Sequence, residues 1–121
     1  MTTPAEHWRT VLRSALLAAR KQRDAVRTAA LRSALAAVDN AETPADTAGH
    51  QLLSGAIAGS VAGLGATEVA RRVLTDDEIR SLLRAEVDER LSAAAEVDAG
   101  GFGERAEALR EEAAVLTELL G

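Results

Sequence analysis

Residues 74–120, LTDDEIRSLLRAEVDERLSAAAEVDAGGFGERAEALREEAAVLTELL, carry the pattern that decides the fold. Thr75-Asp76-Asp77-Glu78 has the form of a capping box. The threonine hydroxyl accepts from the backbone N–H of Glu78, and the Glu78 side chain reaches back. Leu74 stands where a hydrophobic staple belongs. Ile79, Leu82, Leu83, Val87, Leu91 and Ala94 recur at steps of three and four, the stripe of a 3.6-residue period. Gly100-Gly101 breaks the pattern, as expected where a helix ends in a left-handed residue. Phe102, Ala106, Leu109, Ala113, Leu116 and Leu120 then alternate steps of four and three, a heptad seam. The expectation is two helices, near 75–99 and 102–120, folded back on each other.

The rest of the composition agrees with an all-α chain. Of 121 residues, 47% are hydrophobic, but only one Phe and one Trp are present and Tyr is absent. Alanine-rich faces suit close-packed helices better than a sheet, which favours β-branched and aromatic residues. With no cysteine, disulfides, thiolate nucleophiles and Cys-ligated zinc are excluded. The start, Met-Thr-Thr-Pro-Ala-Glu, lacks the basic and apolar regions of a secretory signal, so the expected location is cytoplasmic.

Thr3-Pro4-Ala5-Glu6 is a second capping box, with proline at the first helical position, where its missing N–H is harmless. The helix it opens, near 4–21, places Trp8, Val11, Leu12, Ala15, Leu16 and Ala19 on one face. Lys21-Gln22-Arg23-Asp24 is a polar break short enough to join two antiparallel helices. A second helix near 24–41 carries Leu31, Ala34, Leu35 and Val38 as its stripe.

Charge divides along the chain. Residues 1–40 hold seven Lys/Arg against three Asp/Glu, and residues 41–121 hold seven against sixteen, giving the net −5. Turning by 100° per residue groups Arg9, Arg13 and Arg20 about 110° from the centre of the apolar face. With Lys21, Arg23 and Arg32 they form the candidate nucleic-acid-binding set, since cations that neutralise phosphates gain affinity by releasing counterions. The plainer reading is a solvated surface held by local pairs such as Asp24 with Arg20 or Arg27. No aromatic residues are interleaved for base stacking, which argues against sequence readout of single strands. Self-association of the oppositely charged halves would use the asymmetry equally well, so a homo-oligomer stays open.

Arg27 falls on the apolar stripe of its helix, and Glu86 and Arg90 fall on the inner face of theirs, spaced i, i+4. Buried charges need partners, so these three are expected to form structural ion pairs that set helix register. A polar pocket between helices is the functional alternative.

Residues 43–73 change character. Thr43-Pro44-Ala45-Asp46 is a turn signal, followed by Gly49, Gly55, Gly59, Gly63 and Gly65 among Ala and Ser. Gly55-x-x-x-Gly59-x-x-x-Gly63 matches a transmembrane dimer motif, but the glycines and the few strongly apolar residues argue against a membrane span. A flexible Gly/Ala-rich insertion is expected, with a short docked helix around residues 52–61 as the alternative. Gly63-Leu64-Gly65 follows no strand and lacks the Lys-Ser/Thr of a phosphate loop. His7 and His50 have no ligand or triad partner at useful spacing. Glu104, Glu107, Glu111 and Glu118 line the side opposite the seam and read as a solvated face. No catalytic residue, metal set or cofactor site is therefore assigned.

Two blocks resemble the N-terminal helical part of the GatB/YqeY family. The first is Ala19-Arg20-Lys21-Gln22-Arg23-Asp24 through Leu31-Arg32 to Asn40-Ala41-Glu42. It is similar to the family's basic inter-helix turn, Leu-Arg pair and Asn-x-Glu helix end. The second is Leu74-Thr75-Asp76-Asp77-Glu78, then Glu86 and Arg90, then Val115-Leu116 and Leu119-Leu120. The resemblance implies a helical domain related to the tail of the B subunit of glutamine-dependent aminoacyl-tRNA amidotransferase. It implies tRNA, or an amidotransferase–synthetase assembly, as partner. The link to carbon–nitrogen ligase activity comes through that assembly and not through catalysis by this chain alone. The family's small C-terminal helical domain is expected to be absent beyond Gly121. The architecture expected is one domain, a bundle of four helices made of two antiparallel hairpins with residues 43–73 between them. The competing function is a helical protein-interaction module with no nucleic-acid role.

Overall fold

The computed structural model describes residues 1–43 and 72–121, which are all-helical with no strand among them. Among the described residues there are four helices: α1 (Pro4–Lys21), α2 (Ala25–Glu42), α3 (Asp76–Ala99) and α4 (Gly103–Leu120). Each of the last three begins one residue later than the periodicity suggests. The reason is local: Asp24, Thr75 and Phe102 stand outside the helix as N-caps. The glycine-rich motif, His50 and both readings of the insertion lie outside the described residues.

The capping boxes form as their residue types require. Thr3 Oγ1 accepts from the Glu6 N–H at 3.1 Å while Glu6 accepts from Thr3 N–H at 3.0 Å. Thr75 and Glu78 repeat this at 3.0 and 3.3 Å. Asp24 caps α2 by accepting from the Arg27 N–H at 3.0 Å. Phe102 gives α4 no side-chain cap.

Packing follows from which stripes face each other. α1 packs on α2 and α3 on α4; α2 and α3 also touch each other, α2 touches α4, and α1 touches α3. The main core draws Leu12 from α1, Leu31 and Val38 from α2, Ile79 and Leu83 from α3, and Leu116 from α4, all fully buried. Each such side chain contributes about 1.5–3 kcal/mol relative to exposure. A second, smaller cluster of Ala94, Ala106 and Leu109 lies further along α3 and α4. It is separate because α3, at 24 residues, spans about 36 Å, while an 18-residue helix spans about 27 Å. α1 and α2 contribute nothing to this second cluster, so its end of the α3–α4 pair stands apart from them.

Two positions on the expected stripes face water. Leu91 is 48% exposed and Phe102 is 66% exposed. Leu91 lies about 80° from the centre of the α3 core face once helical drift accumulates, and Phe102 belongs to the turn. Val115 and Glu112, which the seam omits, are buried instead.

Candidate functional site

The candidate site is the face shared by α1 and α2, and one ion-pair cluster orients it. Arg9 Nη2 donates to Asp39 Oδ1 at 2.8 Å and also to Glu42 Oε1. Burial alone would lower the Arg9 pKa, but its hydrogen bonds to Asp39 and Glu42 outweigh that and hold the guanidinium above its ordinary value. Arg9, expected among the phosphate contacts, is thus largely buried and already neutralised.

The same bond places its neighbours. Arg9, Arg13 and Arg20 lie within about 40° of one another around α1, and Arg32 and Asp39 within about 20° around α2. Because Arg9 meets Asp39 across the two helices, Arg13, Arg20 and Arg32 share one face. Lys21 and Arg23 follow at the turn that closes it. All five are exposed and form no ion pair among the described residues.

The contrast with the remaining cations is sharp. Arg27 pairs with Glu118 at 3.4 Å, Arg72 with Glu78 at 3.2 Å, and Arg80 with Asp76 at 2.8 Å. Arg105 pairs with Glu112, and Arg110 with Asp98. Of the described cations outside the α1–α2 face, Arg84 alone lacks an acidic partner.

Arg23 adds a backbone observation. Its φ is +58°, in the left-handed region that side chains with a Cβ enter at a cost of about 1–2 kcal/mol. Asp24 N–H donates to Ala19 C=O at 2.9 Å and Arg23 N–H to Arg20 C=O at 3.1 Å. That pattern is a Schellman ending, where glycine is the usual occupant. The sequence carries an arginine at this corner, and local residue types hold no signal of its φ.

The residues expected as structural pairs lie elsewhere. Arg90 Nε donates to Glu112 Oε1 at 3.0 Å, and Nη1 donates to Glu86 Oε1 at 3.1 Å. This buried cluster sits between the two apolar clusters of α3 and α4. Glu112 was not legible as the partner, because only the tertiary contact joins them. Arg27 is about one-third exposed, and Asp24 meets its backbone and not its guanidinium. Glu118 is exposed, as expected of a solvated face, and also pairs with Arg27.

Trp8 gives a second cross-helix node that the periodicity did not suggest. Its indole Nε1–H donates to Asp76 Oδ1 at 2.7 Å, and Arg80 lies over its ring, 5.2 Å from the centroid. Arg80 also donates to the Leu120 carbonyl at 2.9 Å. The Trp8 hydrogen bond first, and Arg80 second, hold the Asp76 carboxyl below the usual carboxylate range.

A cleft of about 420 Å³ opens between α2 and α3, lined by Ala41, Leu74, Leu82 and the Arg72–Glu78 pair. Asp77 and Ser81 line it as well, and no hydrogen bond joins the Ser81 hydroxyl to Asp77 or Glu78. Among the described residues no cluster of His, Asp or Glu is placed to hold a metal ion, and His7 is exposed. No described helix is long and apolar enough to cross a membrane.

No family model matches the chain, and neither a curated protein nor a solved structure matches it.

Proposed function

We propose that this chain is a non-catalytic accessory module of the GatB/YqeY kind, acting in the cytoplasm on tRNA or on an amidotransferase–synthetase assembly. Its helices form two antiparallel hairpins. The contact of Arg9, early in α1, with Asp39, late in α2, supports that arrangement, as does the reach of Arg80 to Leu120. The single observation carrying the function is the set Arg13, Arg20, Lys21, Arg23 and Arg32, exposed without acidic partners while most other described cations are paired. Such a face binds phosphates by counterion release. It has no aromatic platform, so it reads the backbone and not the bases.

The test is binding of total tRNA over a salt series. Log K should fall linearly with log[salt], and Arg20→Gln should reduce the slope by about one. A flat line, or no binding at low salt, removes the reading.

The exposure of Phe102 favours a second reading, a protein-interaction module with no nucleic-acid role. A pull-down from lysate with and without nuclease separates the two, since an RNA-held assembly falls apart with nuclease and a protein-held one survives.

A further inference from the structure

The free cations of α1 and α2 are ordered along the two helices as well as gathered on one face. Arg9 meets Asp39 across them. In the antiparallel arrangement proposed above, counting equally forward from Arg9 and back from Asp39 places Arg32 level with Leu16. Arg32 then stands between Arg13 and Arg20 along the axis, at steps of about 4.5 Å and about 6 Å. It does so on the neighbouring helix, about 8–10 Å away. Lys21 and Arg23 close the series at the turn. All five are exposed, and none has an ion-pair partner among the described residues. The series is also short, rising about 12 Å from Arg13 to Lys21. Beyond Arg13 it ends at the Arg9–Asp39–Glu42 cluster, where the charge is already neutralised.

Those dimensions, and the lack of an aromatic ring, decide which phosphate array fits. A rise of about 12 Å matches three to four phosphates on each strand of a duplex, spaced roughly 3.4 Å apart along its axis. Two staggered rows of cations face such an array without rearranging. Surfaces that hold a single strand draw affinity from bases stacked on aromatic side chains, about fivefold or more per base. Here Trp8 is buried, Phe102 belongs to the α3–α4 turn, and the chain has no other Trp or Phe and no Tyr. A free strand would also lose its flexibility in following cations fixed on two packed helices, whereas a duplex is ordered beforehand. Duplex RNA is bound by its shape, through phosphates and 2′-hydroxyls, and needs no stacking platform.

We infer that the RNA element held by Arg13, Arg20, Lys21, Arg23 and Arg32 is a base-paired stem, and not a single-stranded loop or end. The inference rests on the tRNA-binding reading and specifies which part of the RNA is gripped. Arg13 and Arg20 reach phosphates from α1, Arg32 reaches them from α2, and the turn supplies Lys21 and Arg23.

The experiment is fluorescence anisotropy of the full chain with two labelled RNAs of equal length. One is a perfectly paired stem of about 16 base pairs; the other is a strand that cannot pair. The stem should bind at least tenfold more tightly at about 100 mM salt, with a log K against log[salt] slope of about −3 to −4. Arg13→Gln and Arg32→Gln should each reduce that slope by about one, with unchanged unfolding midpoints. Arg84→Gln, which removes an unpaired cation of α3, should leave the slope as it is. A single strand that binds as tightly as the stem overturns the inference, as does an unaltered slope for Arg32→Gln. Polyglutamate that displaces the stem as well as unlabelled stem does would mark a general polyanion surface and overturn it too. Total tRNA that binds with a salt slope but is not displaced by the stem overturns the stem assignment alone and leaves the tRNA reading standing. Failure of total tRNA to bind at low salt removes both.

Discussion

Arg23 and Gly101 occupy the same position of the same turn. Each is the residue after a helix C-cap, at φ +58° and +89° respectively. Each is followed by a residue whose N–H closes the six-residue ring: Asp24 to Ala19, and Phe102 to Val97, both at 2.9 Å. One corner uses the residue that the geometry favours; the other holds a cation at a conformational cost. The difference matters because the arginine corner belongs to the phosphate-binding face proposed above.

Arg23→Gly should therefore stabilise the protein by about 0.5–1 kcal/mol, the relief of left-handed strain less the extra entropy of an unfolded glycine. Gly101→Ala should destabilise it by about 1 kcal/mol. Urea midpoints measure both. A lower midpoint for Arg23→Gly would show that the side chain contributes contacts beyond its strained backbone.

The Arg90–Glu112 pair, with each side chain about 10% exposed, should show the asymmetry of buried ions. Glu112→Ala leaves Arg90 with Glu86 alone and should cost about 3 kcal/mol. Replacing both, as Arg90→Met with Glu112→Leu, should be near neutral. Chemical denaturation of the single and double variants decides the point, and an equally damaged double variant would refute the pairing argument.

Leu116 and Leu109 lie in different apolar clusters, so their truncations should differ in kind. Leu116→Ala should lower global stability by about 2–5 kcal/mol, and Leu116→Asp should unfold the chain. Leu109→Ala should instead speed amide exchange in the second half of α3 while leaving α1 and α2 protected, a sub-global opening. Uniform loss of protection in both variants would mean a single cooperative unit.

Acid stability should carry the mark of Asp76. Its folded pKa is depressed by Trp8 and Arg80, so the unfolded chain binds the proton more readily. The stabilisation is fully present above the ordinary carboxylate range and disappears as pH falls through the folded value. Trp8→Phe removes the indole donor and should shift acid unfolding to higher pH. An unchanged acid transition, with stability at neutral pH taken into account, would show the hydrogen bond is not coupled to folding.

How much was legible from sequence differs between the fold and the face. The helix starts at Thr3 and Thr75 are written in residue types, because a capping box is a local arrangement within four residues. The core residues Leu12, Leu31, Ile79 and Leu116 follow from period alone. The exposed cations Arg13, Arg20, Lys21, Arg23 and Arg32 were nameable from charge density, but Arg9 could not be separated from them. Its carboxylate partners lie 30 and 33 residues away, and no local pattern announces them.

The sequence by itself determined where each described helix begins and ends to within a residue and most of the stripe it buries, since capping, glycine breaks and apolar spacing act over a few residues. Only the tertiary structure decided which charges are cancelled and which are left to solvent. It alone also joined Trp8 to Asp76, Arg90 to Glu112 and Arg27 to Glu118. Those outcomes depend on how one helix is rotated and shifted against another, and such offsets arise from side-chain interlocking across distant segments, not from any window of the chain.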